Sequence, residues 1–284
     1  MADKSQLNYQ KVKDFWDKSA ECSTYADDIQ TGMLSTNKHA AYYRKHQEEA
    51  HFEKLIKLNK NMKILEVGCG TGRWAFYFAE RVKKVVAIDL SDKMIEIARK
   101  KQKDSSTKNV EFHCLSAMDF EADEKFDFVY FSGVLQYIGD QDIERILARL
   151  PEWMNRDGLC LSRDTLSLQN RFSMTEDYPV IYRTKKEYEE LFKKHGLKLV
   201  YQGKSYNNSI SSSALIYYIN KYMPKCSLGT LIALTRIARP FDDALEFIFE
   251  KKHGVSWDHK ALNDKMSHDF LLYKFNPEKV EASE

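Results

Sequence analysis

The sequence has no paired cysteines, no long apolar run and no marked excess of charge of one sign. Its five cysteines are odd in number and include no C-x-x-C pair. This spacing predicts reduced thiols in a cytoplasmic protein and argues against a disulfide framework or a zinc site, so we expect no metal. The first residues carry no apolar stretch typical of a secretory signal. No apolar run reaches the roughly 18 residues that a transmembrane helix needs.

The charges are nearly balanced, with 44 basic and 42 acidic residues and a net charge of +2. Surfaces that bind nucleic acid usually show a basic excess, so we expect no nucleic-acid partner. Hydrophobic residues make up 43% of the 284 residues, which supports a substantial core. This length predicts one large domain, or one domain with an accessory part.

Glycine is scarce, with 11 residues, yet three glycines lie at alternate positions, Gly68, Gly70 and Gly72. They follow the apolar run 64–67, typical of a buried strand, and precede 72–82, which has helical composition. Glycines at such a turn permit positive φ and let a ligand approach the bare backbone. The free N–H groups at the start of the next helix favour ligand binding there. The segment therefore predicts a nucleotide-type cofactor site.

A second apolar run, 85–88, ends in Asp89, 17 residues after Gly72. In a βαβ unit this carboxylate lies beside the end of the first strand, where it can accept both hydroxyls of a ribose. The dinucleotide fingerprint has its third glycine five residues after the first, whereas Gly68 and Gly72 are only four apart. A nicotinamide-dependent dehydrogenase is therefore the weaker alternative.

Residues 66–72 resemble motif I of the class I S-adenosylmethionine-dependent methyltransferases, whose core is E/D-x-G-x-G-x-G. Three later segments, 87–91, 115–118 and 126–138, resemble that family's second motif, its adenine-contacting loop and its fourth-strand motif. The resemblance implies an α/β fold with a doubly wound, mostly parallel seven-stranded sheet and helices on both faces. Ligands in such sheets bind outside the carboxyl ends of the strands, so all four segments should lie along one edge.

The same resemblance divides the chain into four parts. These are an N-terminal helical lid (1–60), a cofactor-binding core (61–205), a helical insertion (206–265), and the last strand with its tail (266–284). In the insertion, helices are expected near 211–222, 228–238 and 240–252. The insertion could form a substrate cap, a dimer surface or a membrane-facing patch. The cap is the default because inserted helices must bury their apolar faces.

Alternating apolar and amphipathic segments predict the elements of the core. Strands are expected near 63–67, 84–89, 110–114, 126–131, 157–163 and 197–203, with a last strand over 270–275. Helices are expected near 73–82, 92–103, 141–153 and 185–195. Ser91 is the expected N-cap of the second of these helices, and Thr184 and Glu187 have capping-box spacing.

The resemblance implies that S-adenosylmethionine is the cofactor and S-adenosylhomocysteine the product. The residues expected to bind it are Glu66, Gly68, Cys69, Gly70, Gly72, Asp89, Leu90, Met94, Ser116, Ala117, Met118, Ser132 and Gly133, with Tyr25 and Arg44 from the lid. Ser116 stands where the family often has aspartate, so the bond to the adenine amino group should be weaker or come from elsewhere. Cys69 lies in the glycine loop, where a small packing role is also typical of a free cysteine.

The residues expected to bind the acceptor and catalyse methyl transfer follow the fourth and fifth strands. The catalytic candidates are Arg163, Asp164 and Tyr137, and the substrate-binding candidates are Gln136, Arg171, Tyr182 and Arg183. The three arginines could together bind a carboxylate or phosphate, although a surface ion pair is the ordinary role of a single arginine. Many relatives have two histidines where this chain has Gln136 and Tyr137, so no histidine base is transferred from the family. His39, His46 and His51 stay alternative bases.

The sequence thus predicts an enzyme that transfers a methyl group from S-adenosylmethionine to an oxygen or nitrogen of a small molecule, with an anionic acceptor favoured by the arginines. A hydroxyl acceptor needs a general base, whereas positioning suffices for a neutral amine. The alternatives are methylation of tRNA or protein, and a non-catalytic subunit that binds S-adenosylmethionine. We expect a monomer or homodimer.

Overall fold

The computed structural model describes residues 7–21, 38–174, 178–205, 222, 223, 230, 233, 234, 237 and 266–275, with the backbone alone for 38–43. The chain divides into two compact units. The core unit comprises Met1–Asp28, Lys57–Lys204 and Met266–Glu284, and the second unit comprises Ile29–Ile56 and Ser205–Lys265. The segment 1–60, predicted as a single lid, is therefore divided between the two units.

The core unit alternates strands and helices along the chain. Its helices are α1 (Tyr9–Ala20), α3 (Arg73–Ala79), α4 (Asp92–Asp104), α5 (Asp140–Ala148), α6 (Leu150–Trp153) and α7 (Lys185–Lys194). Its strands are β1 (Lys63–Val67), β2 (Lys84–Asp89), β3 (Val110–Cys114), β4 (Phe126–Phe131), β5 (Met154–Ser167), β6 (Phe172–Met174), β7 (Val180–Tyr182), β8 (Leu197–Lys204) and β9 (Met266–Phe275). A short 3-10 turn, Leu135–Tyr137, follows β4.

Seven of these strands form one sheet in the order β3-β2-β1-β4-β5-β9-β8. The first five strands of this order pair in parallel, and β9 runs antiparallel to both of its neighbours, β5 and β8. The predicted doubly wound, mostly parallel seven-stranded sheet is confirmed. Because parallel strands end at the same edge, the segments after β1, β2, β3 and β4 lie side by side there. We call this side of the sheet the carboxyl edge.

Burial explains why these segments are strands. Ile64, Leu65 and Val67 on β1 are almost fully buried, and so are Val85 and Ile88 on β2. Near-continuous apolar runs are typical of parallel strands that helices cover on both faces. The predicted bounds 63–67, 84–89, 110–114 and 126–131 are confirmed residue for residue.

Other bounds differ from prediction. Strand β5 has 14 residues and extends past its predicted end at 163, because β9 begins at Met266 and pairs with the additional residues. The hairpin of β6 and β7 was not predicted, since three-residue strands are too short to show a period. The helix predicted over 141–153 is two helices, with Pro151 in the first turn of α6.

Two predicted caps are confirmed. The hydroxyl of Ser91 accepts a hydrogen bond from the N–H of Met94 at 3.1 Å, which begins α4. At α7, the Thr184 hydroxyl accepts from the Glu187 N–H at 3.3 Å, and the Glu187 carboxylate accepts from the Thr184 N–H at 2.8 Å. Both caps satisfy N–H groups that a helix leaves unpaired at its start.

In the second unit, the structure describes the backbone of α2 (Lys38–Leu55) and the side chains of its last twelve residues. This helix lies within the segment 1–60, which was predicted to be helical. The helices predicted near 211–222, 228–238 and 240–252 lie almost wholly outside the described residues. No described helix is long and apolar enough to cross a membrane.

Candidate functional site

The glycine loop lies at the carboxyl edge, between β1 and α3. The N–H groups of Gly68 and Cys69 both donate to the carbonyl of Ile88, at 2.8 and 3.0 Å, which ties the loop to β2. Gly68, Gly70 and Gly72 have φ of +78°, +54° and +84°. Side chains strongly disfavour this region of φ, so the backbone requires glycine at all three positions.

Asp89 is the last residue of β2 and faces the glycine loop. Its Oδ2 accepts a hydrogen bond from the N–H of Gly70 at 2.7 Å, and its Oδ1 accepts from the N–H of Ser91 at 2.9 Å. Burial raises the pKa of Asp89, while these N–H donors oppose that rise. Each carboxylate oxygen has two acceptor sites, so one on each oxygen is left for a ribose hydroxyl.

Glu66 is the fourth residue of β1 and is fully buried. Among the described residues, neither of its carboxylate oxygens has a hydrogen-bond partner. Burial raises the pKa of Glu66 well above its ordinary value, and the nearby Arg73 opposes this only in part. A buried acid without a partner fits a cofactor that brings a positive charge, as S-adenosylmethionine does.

The other predicted cofactor residues of the core unit lie in a row along the carboxyl edge. Leu90 and Met94 follow β2, and Met94 is buried in the first turn of α4. After β3, the Ser116 hydroxyl accepts from the N–H of Met118 at 3.2 Å, with Ala117 buried between them. After β4, the N–H of Ser132 donates to the carbonyl of Val67 at 2.9 Å.

Gly133 joins this row to β5. Its φ is +71°, and a Cβ there would lie 2.8 Å from Nη1 of Arg163. The Arg163 guanidinium therefore reaches the segment after β4, at the carboxyl edge. Of the two predicted lid residues, Tyr25 lies outside the described residues. Arg44 lies on α2 of the second unit, where it pairs with Glu48 one turn later at 3.5 Å.

Three tyrosine hydroxyls lie in a row beside the 3-10 turn that follows β4. Tyr137, in the 3-10 turn after β4, shares a short hydrogen bond with Tyr178, and the Tyr182 hydroxyl lies in hydrogen-bonding contact with that of Tyr178. Burial raises the pKa of all three phenols well above the ordinary value. They are therefore neutral at physiological pH, so Tyr137 offers a hydrogen bond and not a tyrosinate base.

Gln136 and Asp164 connect the 3-10 turn to β5. The N–H of Gln136 lies 3.4 Å from Oδ1 of Asp164, and the N–H of Thr165 donates to Oε1 of Gln136 at 3.2 Å. Asp164 also accepts from the Ser162 hydroxyl. Burial raises the pKa of Asp164 to about 6. These bonds support a positioning role for both residues, while the predicted catalytic role of Asp164 and substrate role of Gln136 stay predictions.

Arg183 does not face an acceptor. It is fully buried, and its guanidinium donates to Asp140 at 2.8 Å and to the carbonyls of Leu135 and Ile138 at 2.9 and 2.6 Å. Arg171 donates to the other oxygen of Asp140 at 2.6 Å. The predicted cluster of three arginines is corrected by this geometry, because two of them share Asp140 and hold the start of α5. Arg163 alone of the three lies next to the glycine at the end of β4.

Helix α1, part of the predicted lid, lies beside these residues, although the sequence reasoning named none of its own residues as site candidates. Asp17 accepts a hydrogen bond from the Ser91 hydroxyl at 2.5 Å, directly after the predicted ribose acid. Lys13 pairs with Asp17 at 2.6 Å and with Asp92. The ring of Trp16 packs edge-on against Tyr137 at 5.3 Å between centroids. The helix therefore contacts both the segment after β2 and the 3-10 turn after β4.

His268 was missed for a different reason. It lies on β9, opposite Thr165 of β5, and its Nδ1 is 2.9 Å from the Thr165 hydroxyl. Directly opposed residues of antiparallel strands share a face, so His268 and Thr165 lie on the same face as Arg163. The last strand had been predicted to begin only at residue 270. Among the described residues, no group of histidine, cysteine or acidic side chains could hold a metal ion.

Part of the chain is similar to known proteins. Residues 64–158 match a family described as "Methyltransferase domain". Phosphoethanolamine N-methyltransferase 3 of Arabidopsis thaliana is 28% identical over 164 residues, which are 56% of this chain and 33% of that protein. An uncharacterized protein of Rickettsia prowazekii is 36% identical over 121 residues, 40% of this chain and 48% of that protein. The chain thus spans between a third and a half of these relatives.

Solved structures share the fold. Phosphoethanolamine N-methyltransferase 2 of Haemonchus contortus, in complex with S-adenosyl-L-methionine, has a TM-score of 0.61 at 15% identity and covers 93% of this chain and 60% of that one. A [4+2]-cyclase has a TM-score of 0.60 at 16% identity, with 96% and 97% covered. At this identity the likeness concerns the fold alone. Residues 64–158 thus match a methyltransferase domain, and the structures show that the chain has the fold of these proteins.

Proposed function

We propose that the protein transfers a methyl group from S-adenosylmethionine to a nitrogen or oxygen of a small anionic molecule. The observation that carries this proposal is the cofactor site itself. Asp89, the three glycines and the unpartnered Glu66 are assembled at one edge of the sheet, with Asp89 hydrogen-bonded to the loop. The names of the sequence relatives support both the reaction and the anionic acceptor.

The residues of the chain divide the work of holding the cofactor. Asp89 accepts the ribose hydroxyls, the segment 115–118 borders the adenine, and Glu66 faces the amino-acid end. The glycine loop leaves room for the ligand to contact the backbone. When bound, S-adenosylmethionine supplies an electrophilic methyl group. The protein then has to align an acceptor with that methyl and exclude water.

The residues near the end of β4 can position the methyl acceptor. Arg163 offers a guanidinium for a phosphate or carboxylate, which it can bind with two parallel hydrogen bonds. The neutral phenol of Tyr137 offers a hydrogen bond beside it, and the Trp16 ring covers this part of the edge. The buried phenol of Tyr137 stays neutral, so it supplies no base there. A neutral amine is therefore the better acceptor, because it needs positioning more than deprotonation.

The test has two stages. Calorimetry with S-adenosylmethionine and with NAD should show binding of the first and none of the second. Formation of S-adenosylhomocysteine is then measured with phosphoethanolamine and with a panel of small carboxylated amines. Ethanolamine, which lacks the anionic phosphate, is the control. Turnover with the anionic amines and not with ethanolamine supports the proposal. Binding without turnover on any acceptor would replace it with a non-catalytic subunit, and preference for NAD would overturn the cofactor.

Cellular location and assembly are also part of the proposal. The three described cysteines, Cys69, Cys114 and Cys160, are free thiols, which suits a reducing cytoplasm. We propose a monomer or homodimer that needs no nucleic acid. Light scattering at several concentrations gives the mass, and turnover that is insensitive to nuclease treatment supports the small-molecule assignment.

A further inference from the structure

Glu66 is a fully buried acid whose charge Arg73 balances only in part. We propose that Glu66 carries a proton while the site is empty and loses it when the cationic cofactor binds, so that cofactor binding releases a proton. The inference rests on the proposed function, because it takes S-adenosylmethionine as the ligand. It adds a protonation change that the methyl transfer itself does not require.

The position of Glu66 in the sheet makes ionisation costly. The residue lies on β1, in register with Ala87 of β2 and Tyr130 of β4, so strands flank it on both sides. It has no exposed surface, and neither carboxylate oxygen has a hydrogen-bond partner in the described part of the chain. An ionised carboxylate without partners is strongly disfavoured in such surroundings, and the neutral acid is the usual outcome.

The groups around Glu66 do not provide the missing charge balance. Arg73 and the Ala75 N–H, in the first turn of α3, and the Ser132 hydroxyl, after β4, favour the ionised form, although none of them makes a hydrogen bond of normal geometry to either oxygen. Asp89, after β2, opposes it, and the Cys69 thiol is itself kept neutral by burial. Burial is the largest of these effects and raises the pKa of Glu66 well above its ordinary value. The empty site therefore favours the protonated acid.

The ligand reverses this balance. S-adenosylmethionine carries an ammonium group and a sulfonium, whereas S-adenosylhomocysteine carries the ammonium alone. A positive charge within about 4–6 Å lowers the pKa of a carboxyl by about 1–3. When the ligand binds, the O–H bond of Glu66 breaks, its electron pair stays on the carboxylate, and the proton passes to the buffer. The ammonium keeps its own protons.

The proton release makes ligand affinity depend on pH. At a pH below the pKa of Glu66 in the empty site, the ligand must displace a proton, so affinity rises as pH rises. Above that pKa the empty site is already ionised, and affinity becomes independent of pH. In the rising range, the logarithm of the affinity should change by about one per pH unit, because one carboxyl is involved.

The test is calorimetric. S-adenosylhomocysteine and S-adenosylmethionine are each titrated into the full-length protein at one pH in phosphate, HEPES and Tris, whose ionisation enthalpies differ. The slope of the observed enthalpy against the buffer enthalpy gives the protons released, and we expect up to about one per site. Release with both ligands indicates the ammonium as the partner of Glu66, and release with S-adenosylmethionine alone indicates the sulfonium.

Two variants make the assignment specific. Glu66→Gln keeps the shape of the side chain but has no proton to lose, so it should release none and bind with affinity that does not vary with pH. Glu111→Gln removes an exposed acid of β3 that pairs with Lys84 at 2.9 Å, and it should behave as the native protein. Should Glu66→Gln fail to fold, infrared difference spectra of the native protein replace it. Binding should then remove the carbonyl band of a protonated acid.

The outcomes separate this inference from the proposed function. Ligand binding with an enthalpy that is the same in all three buffers overturns the proton release and leaves the methyltransferase proposal intact. Proton release that persists in Glu66→Gln overturns the assignment to this residue. Absence of any binding overturns the proposed function, and the inference with it.

Discussion

Asp89 and Gly70 are joined by a hydrogen bond of 2.7 Å from the backbone N–H of the glycine to Oδ2 of the carboxylate. The predicted ribose acid thus also fixes the middle of the loop that approaches the cofactor. One side chain therefore shapes the site before the ligand arrives. This dual role is consistent with a binding site that is preformed and not assembled by its ligand.

Replacing Asp89 should accordingly weaken binding in two ways. Asp89→Ala removes charge-assisted hydrogen bonds worth about 1.5–3 kcal/mol, so the affinity for S-adenosylmethionine should fall by about tenfold or more. Asp89→Asn keeps one carbonyl oxygen for the N–H of Gly70 or Ser91 and should lose less. Calorimetry measures both, with thermal unfolding as the check that each variant is folded. Unchanged affinity in Asp89→Ala would remove this residue from the ribose site.

Gly68 is constrained both by its backbone and by its neighbour. Its φ is +78°, and a Cβ there would lie 2.6 Å from Cβ of Val134. Gly68→Ala should therefore cost about 1–3 kcal/mol in backbone strain, in addition to the overlap. Urea denaturation measures the loss. The double variant with Val134→Gly removes that Cβ, so it should recover the overlap but not the strain, and full recovery would show that φ is not the constraint.

Arg183 and Arg163 should respond differently to the same change. Arg183→Gln leaves the buried carbonyls of Leu135 and Ile138 without their donor, and each buried acceptor left unsatisfied costs about 1–3 kcal/mol of stability. Arg163→Gln removes the guanidinium proposed to bind the acceptor and should raise KM for an anionic acceptor, with KM for S-adenosylmethionine unaffected. Denaturation and steady-state kinetics distinguish the two. Loss of acceptor binding in a stable Arg183→Gln variant would restore Arg183 to the acceptor site.

The raised pKa of Asp164 makes the free energy of unfolding depend on pH. Its pKa is raised from the ordinary 3.8 to about 6, so the folded state binds the proton more tightly than the unfolded state. The stability that this adds is fully present below pH 4 and is lost as pH rises to about 6. The difference corresponds to about 3 kcal/mol.

Asp164→Asn tests this dependence, because an amide keeps acceptor capacity and does not titrate. The free energy of unfolding of the native protein, relative to this variant, should fall between pH 4 and pH 6.5. Denaturation curves at several pH values in one mixed buffer give the comparison. Parallel curves for the two proteins would mean that Asp164 does not titrate in this range.

The glycine loop, the position of Asp89 at the end of β2 and the bounds of four strands were predictable because each depends on local sequence. Apolar runs such as 64–67 are enough to predict a buried strand. The glycine motif that begins at Gly68 is typical of a tight turn from a strand into a helix. The partners of Arg183 were not predictable, since Asp140 lies 43 residues away and nothing local marks the pair. The same holds for Asp17, whose contact with Ser91 depends on how α1 packs on the sheet.

The placement of β9 constrains the order in which the protein folds. This strand lies between β5 and β8, yet residues 205–265 must be synthesised before it exists. Until then β8 has no neighbour in the sheet, whereas β1 to β5 can already pair. Contacts between residues so distant in the chain form slowly. During synthesis, the half of the sheet with the glycine loop can therefore be complete while the β5 edge is still exposed to association with other chains.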